Sequence, residues 1–145
     1  MQNLNIEIAK FGSRNQIQSI GLRHEVLRKP LHLVFVPNSL LKEENDTHIV
    51  ALMDNLVVGV MLLTQIYSNV LKMRQVAVSE KYQSKGIGQK MVDFAKNLAI
   101  ENNCKKIELH ARETAVEFYL NLGYEKVGEW FEEVGLGHWK MVKEL

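Results

Sequence analysis

Hydrophobic residues recur along this chain with two periods, and the switches between them mark its elements. Asn3 to Phe11 alternates, with Leu4, Ile6 and Ile8 on one side of a first strand that Gly12-Ser13 breaks. From Gln16 to Arg28 the apolar positions Ile17, Ile20, Leu22, Val26 and Leu27 suggest a helix with an apolar face. Ser13 or Asn15 can cap it, and Pro30 stops it. Leu31 to Phe35 is apolar, Pro37-Asn38-Ser39 reads as a turn, and Leu40 to Asp46 as an acidic loop or short helical turn. Thr47 to Met53 and Leu56 to Thr64 are rich in branched residues. Asp54-Asn55 between them is a two-residue hairpin signal, since both residues tolerate positive φ. A turn at Tyr67-Ser68-Asn69 leads into a strand from Val70 to Val78, completing an antiparallel meander.

Beyond Val78 the period changes. Ser79 to Lys85 is polar and cannot continue the strand. After Gly86-Ile87-Gly88, the residues Ile87, Met91, Phe94, Ala95 and Leu98 give a helix one apolar face, and Asn102-Asn103 ends it. Lys106 to Ala111 alternates as a strand, which a right-handed crossover makes a parallel neighbour of the strand before the helix. Glu113 to Asn121 reads as a short helix closed by Gly123. Tyr124 to Glu132 and His138 to Val142 are the last strands, with Gly135 and Gly137 in their connection. The order β-α-β-β-β-α-β-α-β-β, without linker, repeat or low-complexity tract, predicts one mixed α/β domain over residues 1–145.

Composition narrows the function classes. A formal net charge of +1 suggests no nucleic-acid surface. One cysteine, Cys104, excludes an internal disulfide and fits a reducing compartment. No run reaches the length of a membrane span, and MQNLNIEIAK lacks a signal-peptide apolar block, so the cytoplasm is the expected location. No metal site is expected. Glu43, Glu44 and Asp46 read as solvated surface.

The chemistry gathers around the glycine turn. A helix N-terminus behind Gly86 and Gly88 offers free N–H groups to an anion, with Lys85 and Lys90 adding positive charge; phosphate is the expected anion. A P-loop would need G-x-x-x-x-G-K-[ST], which is absent. A dinucleotide fingerprint would need a third glycine where Met91 stands.

Val76-Ala77-Val78 followed by Gln83-Ser84-Lys85-Gly86-Ile87-Gly88 resembles the acetyl-CoA signature of the GNAT superfamily of acyl-CoA N-acyltransferases, a hydrophobic strand and then [Q/R]-x-x-G-x-[G/A] at a helix start. Ala115, Phe118, Tyr119 and Leu122-Gly123-Tyr124 resemble the family's A-x-x-F-Y-x-x-L-G-[F/Y]. The resemblance implies a mixed central sheet of about seven strands flanked by about four helices, and acetyl-CoA as co-substrate. It implies that backbone N–H groups of Gln83, Lys85, Gly86, Ile87 and Gly88 cup the pyrophosphate in a loop that includes Ser84. Gln89 and Lys90 would touch the ribose phosphate, and Val76, Ala77 and Val78 would polarise the thioester carbonyl.

Carried over in the same way, Tyr119 would serve the departing thiolate, as general acid or hydrogen-bond donor. His138, in G-L-G-H-W-K-M, resembles a G-x-x-H segment of some members and is a candidate base beside His110 and Glu108; a water chain could replace any of them. Arg112 stands where many relatives carry an asparagine and could contact the cofactor instead. Arg23, His24 and Arg28 lie on the helical region that walls the family's acceptor site, so Arg23 and Arg28 could take a substrate carboxylate or form a solvated face. Trp130 and Phe131 could wall the acceptor pocket or serve as core.

The expected activity is transfer of an acetyl group from acetyl-CoA to an amine of a small molecule or peptide, by direct attack in a ternary complex. The rivals are an acyl-CoA-binding sensor on the same fold and a protein that binds ATP or NAD at the glycine turn. The acceptor and the oligomeric state, homodimer included, stay open.

Overall fold

The computed structural model describes residues 3–33 and 37–145. Its strands are β1 (Leu4–Ala9), β2 (Thr47–Met53), β3 (Leu56–Tyr67), β4 (Val70–Val78), β5 (Lys106–Arg112), β6 (Glu125–Glu133) and β7 (Leu136–Glu144). Its α-helices are α1 (Arg14–Arg23), α2 (Pro37–Leu41), α3 (Ile87–Glu101) and α4 (Val116–Asn121). The strands pair in the order β1-β2-β3-β4-β5-β7-β6, the mixed seven-stranded sheet with four helices that the family resemblance implies; the periodicity predicts the seven strands and three of the helices, and reads α2 as a turn and acidic loop. The chain divides into two compact units, Met1–Thr64 with Gln75–Ala95, and Gln65–Arg74 with Lys96–Leu145.

In the first unit, β2 and β3 are buried over nearly their whole lengths to Leu63. That is the pattern of strands covered on both faces. Ala9, Val50, Leu52 and Val57 form one apolar cluster, against which Leu22 of α1 packs. Elsewhere Met91 of α3 lies against Gly59, where a Cβ would come 2.9 Å from the Met91 sulfur. The β2–β3 turn has φ +50° at Asp54 and +69° at Asn55, the left-handed pair of a type I′ hairpin. Ile87, Met91, Val92 and Ala95 are the buried positions of this part of α3.

The first helix departs from its apolar pattern. Its buried residues are Gln16, Ser19 and Arg23, whereas Ile17 is exposed. Ser13 caps it as expected, accepting from the Gln16 N–H. The helix does not stop at Pro30: a π turn (His24–Arg28) and a 3₁₀ turn (Lys29–Leu31) follow, and Pro30 fits the latter because its missing N–H falls in the first positions. Pro37-Asn38-Ser39 opens α2 rather than forming a turn. Within the apolar run expected from Leu31 to Phe35, Val34 and Phe35 lie outside the described residues.

In the second unit, Val70–Met73 pairs in parallel with Lys106–Leu109, as the crossover rule requires. β5 then pairs antiparallel with β7 over its whole length, and β7 with β6. The β6–β7 turn falls at Val134-Gly135, both left-handed, so β7 begins at Leu136 and Gly137 lies inside the strand. A Cβ at Gly137 would collide with the Glu113 carboxylate and the Trp130 indole nitrogen. That glycine serves packing rather than a turn.

Candidate active site

The first unit carries the glycine turn. β4 ends at Val78, and a 3₁₀ turn (Glu80–Tyr82) leads into Gln83. The Ser79 N–H donates to the Val58 carbonyl at 2.8 Å, and Gln83 Nε2 donates to the Val78 carbonyl at 2.9 Å. The loop is thus tied at both ends to the strands that carry it. Ser84 has φ +64° and Gly86 φ +81°. A Cβ built on Gly86 meets nothing within 4 Å, so the space above it is open.

Helix α3 starts at Ile87, with Gly88 as its second residue. The first N–H groups of any helix lack partners inside it. Here they emerge beside two left-handed residues, a concave backbone arrangement suited to an anion. Gln83 differs from its neighbours, because its N–H already reaches the Glu80 carbonyl at 3.5 Å. Lys85, Gln89 and Lys90 are exposed, and Lys85 Nζ stands 5.8 Å from the Tyr82 ring centroid. Just upstream, Gln75 has φ +56° within β4, ahead of buried Ala77 and half-buried Val76 and Val78. Its side-chain oxygen is buried without a hydrogen-bond partner.

The second unit brings His110, Phe131, Glu133 and His138 together. The register sets Phe131 opposite His138 across β6–β7, and His138 opposite Arg112 across β5–β7. The Phe131 ring stacks on His138 at 5.6 Å and meets the His110 ring edge-on at 4.9 Å. Glu133 Oε2 lies 3.5 Å from His110 Nδ1 and 3.7 Å from His138 Nε2.

His138 is buried, and its Nδ1 sits 2.9 Å from the Leu136 carbonyl oxygen. A carbonyl only accepts, so Nδ1 carries the hydrogen and Nε2 is the basic atom of the neutral ring. Burial, followed by the charge of Lys72, holds the His110 pKa below its ordinary value, and Glu133 opposes that shift. His110 also borders a shallow depression of about 360 Å³ with Val127, Gly128, Glu129, Phe131 and Lys140. Glu108 Oε2, 3.5 Å from Lys140 Nζ, is engaged in an ion pair. Among the described residues, no group of three or more His, Cys, Asp or Glu side chains is disposed to hold a metal ion.

Tyr119 on α4 is separate from these contacts. Its ring packs edge-on against Phe118 and Tyr124, at 5.0 and 5.6 Å. It is buried, and burial pushes the phenol well above its ordinary pKa. A phenol so shifted keeps its proton and can still donate a hydrogen bond. Arg112 is half-buried at the end of β5.

Two expectations on the first helix fail together. Arg23 is fully buried, and its guanidinium donates to both Glu43 oxygens at 2.8 and 2.7 Å. Arg23 is therefore neither a solvated charge nor free to take a substrate carboxylate, and Glu43 is not solvated surface. Trp130, half-exposed, donates its indole N–H to Glu113. The residue that sequence reasoning missed is Glu133. A two-residue turn at Val134-Gly135 was the signal available, because it sets Phe131 opposite His138 and puts Glu133 on the same face by period two.

The model of the acetyltransferase (GNAT) domain family matches residues 23–145. A Bacillus subtilis (strain 168) protein, provisionally named an acetyltransferase, is 29% identical over 97 residues, which is 67% of this chain and 65% of that protein's length. A Lactobacillus plantarum structure, provisionally described as an N-acetyltransferase, superposes with TM-score 0.88 at 19% identity over 98% of both chains. A GNAT family acetyltransferase from Elizabethkingia anophelis with acetyl-CoA bound gives TM-score 0.76 at 18% identity over 99% of each. Among the described residues no helix is long and apolar enough to cross a membrane.

Proposed function

Because the chain belongs to the GNAT acetyltransferase family, we propose that it transfers an acetyl group from acetyl-CoA to an amine by direct attack in a ternary complex. The observation that carries this reading is the glycine turn: Gly86 left-handed, the space above it open, and the N-terminus of α3 immediately behind. That geometry fits a pyrophosphate lying on backbone N–H groups. The relative with acetyl-CoA bound supports the same ligand here.

In this reading the N–H groups of Lys85, Gly86, Ile87 and Gly88 hold the pyrophosphate. Ser84 shapes the loop, while Gln83 acts chiefly through the side chain that closes it on Val78. Gln89 and Lys90 face the ribose phosphate, and Arg112 adds a further cofactor contact. The backbone of Val76, Ala77 and Val78 polarises the thioester carbonyl, where one donor contributes about 3 kcal/mol to the transition state.

The incoming amine loses a proton to His138 Nε2, with His110 beside it as the alternative base. The amine nitrogen then bonds to the carbonyl carbon and the carbon–sulfur bond breaks. Tyr119 donates a hydrogen bond to the departing thiolate; its raised pKa disfavours full proton transfer to a sulfur whose thiol titrates lower. The single, buried Cys104 fits a reducing compartment, so the cytoplasm is the proposed location.

Calorimetry with acetyl-CoA on the parent and on Gly86→Leu tests the anchoring. The variant should bind at least about tenfold more weakly, roughly 1.4 kcal/mol. Equal affinity in a folded variant would remove the phosphate loop from this account. Thermal shifts with acetyl-CoA, ATP and NAD should rank acetyl-CoA first, because only a ligand of the native state raises the melting temperature.

A further inference from the structure

We propose that Glu133 anchors the acceptor as an ammonium ion, and that the acceptor is accordingly a primary amine with an apolar or aromatic carbon skeleton. The inference rests on the acetyl-transfer reading for what happens next, but the ammonium site itself stands on geometry within the second unit.

One carboxylate oxygen, Glu133 Oε2, faces His110 Nδ1 at 3.5 Å and His138 Nε2 at 3.7 Å. The His110 contact is at the outer limit of a hydrogen bond and acts as one, whereas the His138 distance exceeds it. The gap therefore lies between Glu133 and His138 Nε2, which do not satisfy one another. The Leu136 carbonyl fixes the hydrogen of His138 on Nδ1, so Nε2 presents a lone pair toward Glu133. Two acceptors facing one another repel unless something donates to both. A primary ammonium carries three N–H donors and no acceptor, and its charge offsets the carboxylate.

Neutral His110, the state that burial and Lys72 favour, donates Nδ1–H toward the same Glu133 oxygen and orients it. The charged and titratable groups facing His110 are Lys72 from β4, Glu129 and Glu133 from β6, and His138 and Lys140 from β7. Phe131 packs on both imidazoles and, with Val127, gives the adjoining depression an apolar wall for the carbon skeleton.

Glu133 is half-exposed where His138 is buried, so the carboxylate meets solvent first and receives the incoming cation. The ammonium passes one proton to His138 Nε2, leaving a neutral amine and an imidazolium paired with Glu133. The amine attacks the thioester carbonyl carbon, the carbon–nitrogen bond forms, and the carbon–sulfur bond breaks to thiolate. The second amine proton passes to the thiolate as the amide forms, and His138 later releases the first to solvent. The balance is ammonium plus acetyl-CoA giving amide, CoA thiol and one proton.

The probe is 2-phenylethylamine, with its N-methyl and N,N-dimethyl analogues, titrated into the parent and Glu133→Gln at neutral pH. The imidazole NMR signals of His110 and His138 report binding. The primary amine should shift both signals and bind at least about tenfold more tightly than to Glu133→Gln. Affinity should fall with each added methyl. Glu133→Asp should recover part of the loss, and matching melting temperatures establish that the variants are folded.

Equal affinity of parent and Glu133→Gln, indifference to N-methylation, or no shift of either histidine by the primary amine would each overturn the ammonium site. Turnover separates this from the broader reading. Ammonium binding with no thiol release from acetyl-CoA would leave the site standing and contradict acetyl transfer. Thiol release with an unchanged amine KM in Glu133→Gln would do the reverse.

Discussion

The Arg23 guanidinium grips the Glu43 carboxylate with two hydrogen bonds of 2.8 and 2.7 Å, twenty residues apart and out of reach of water. The Glu43 carbonyl in turn accepts from His48 Nε2 at 2.8 Å, so one residue ties α1, the segment after α2 and the start of β2. Breaking a buried pair leaves an uncompensated charge. Glu43→Gln should therefore destabilise the protein by about 3–5 kcal/mol. Arg23→Met with Glu43→Leu should recover much of that loss, because neither charge is then stranded. Urea unfolding of the two variants checks both.

Val134 holds φ +47° at the first position of the β6–β7 turn, ahead of Gly135 at φ +76°. A β-branched residue is strained there, and Asn-Gly is the pair a type I′ turn favours. Val134 is also half-exposed, so replacing it costs little packing. Val134→Asn should stabilise the protein by about 0.5–1 kcal/mol. Thermal melts measure it, and a lower melting temperature would count against this turn geometry.

His110 titrates below its ordinary value of 6.5 because of burial and then Lys72, with Glu133 opposing. The unfolded chain therefore takes up this proton at higher pH than the folded one. The contribution of neutral His110 is present above the unfolded value and is lost as pH falls through the folded one. His110→Asn removes that loss. Relative to the parent, the variant should gain in melting temperature as pH falls through and below the ordinary value of 6.5. A constant difference across that window would contradict the lowered pKa.

Tyr119→Phe keeps the ring that packs on Phe118 and Tyr124, so stability should change little. If the phenol serves the thiolate, the variant should lose about 10–10³-fold in kcat with acetyl-CoA affinity nearly unchanged. An acetyl thioester with a better leaving group should lose less. Unchanged kcat, with chemistry rate-limiting, would make Tyr119 a packing residue.

The sequence carried the fold in its periodicities and turn residues. Asp54-Asn55 announces the hairpin that forms, and Ile87, Met91 and Ala95 announce the buried face of α3. It failed on α1, where the buried stripe is Gln16, Ser19 and Arg23. Apolar periodicity cannot register a polar stripe whose partner, Glu43, lies in another element.

Glu133 was missed for a related reason. It belongs to no motif and becomes legible only from the β6–β7 register, which the glycine at 137 disguised. Gly135 makes the turn, whereas Gly137 is small because Glu113 and Trp130 occupy the space beside it. The glycine turn from Ser84 to Gly88 was legible because its chemistry is local. Its backbone conformation and its helix start are contiguous in sequence.

Acetyl transfer to an amine is read out by thiol release from acetyl-CoA by the purified chain across a panel of amines, amino acids and peptides. Transfer by this chemistry predicts release that depends on both enzyme and amine, with acetylated amine formed in equal amount to free CoA. It also predicts that His138→Ala lowers the turnover by about 10²-fold or more while acetyl-CoA affinity holds. Tight binding of acetyl-CoA without thiol release to any amine would contradict it, and would leave the chain a sensor of acyl-CoA on a transferase fold.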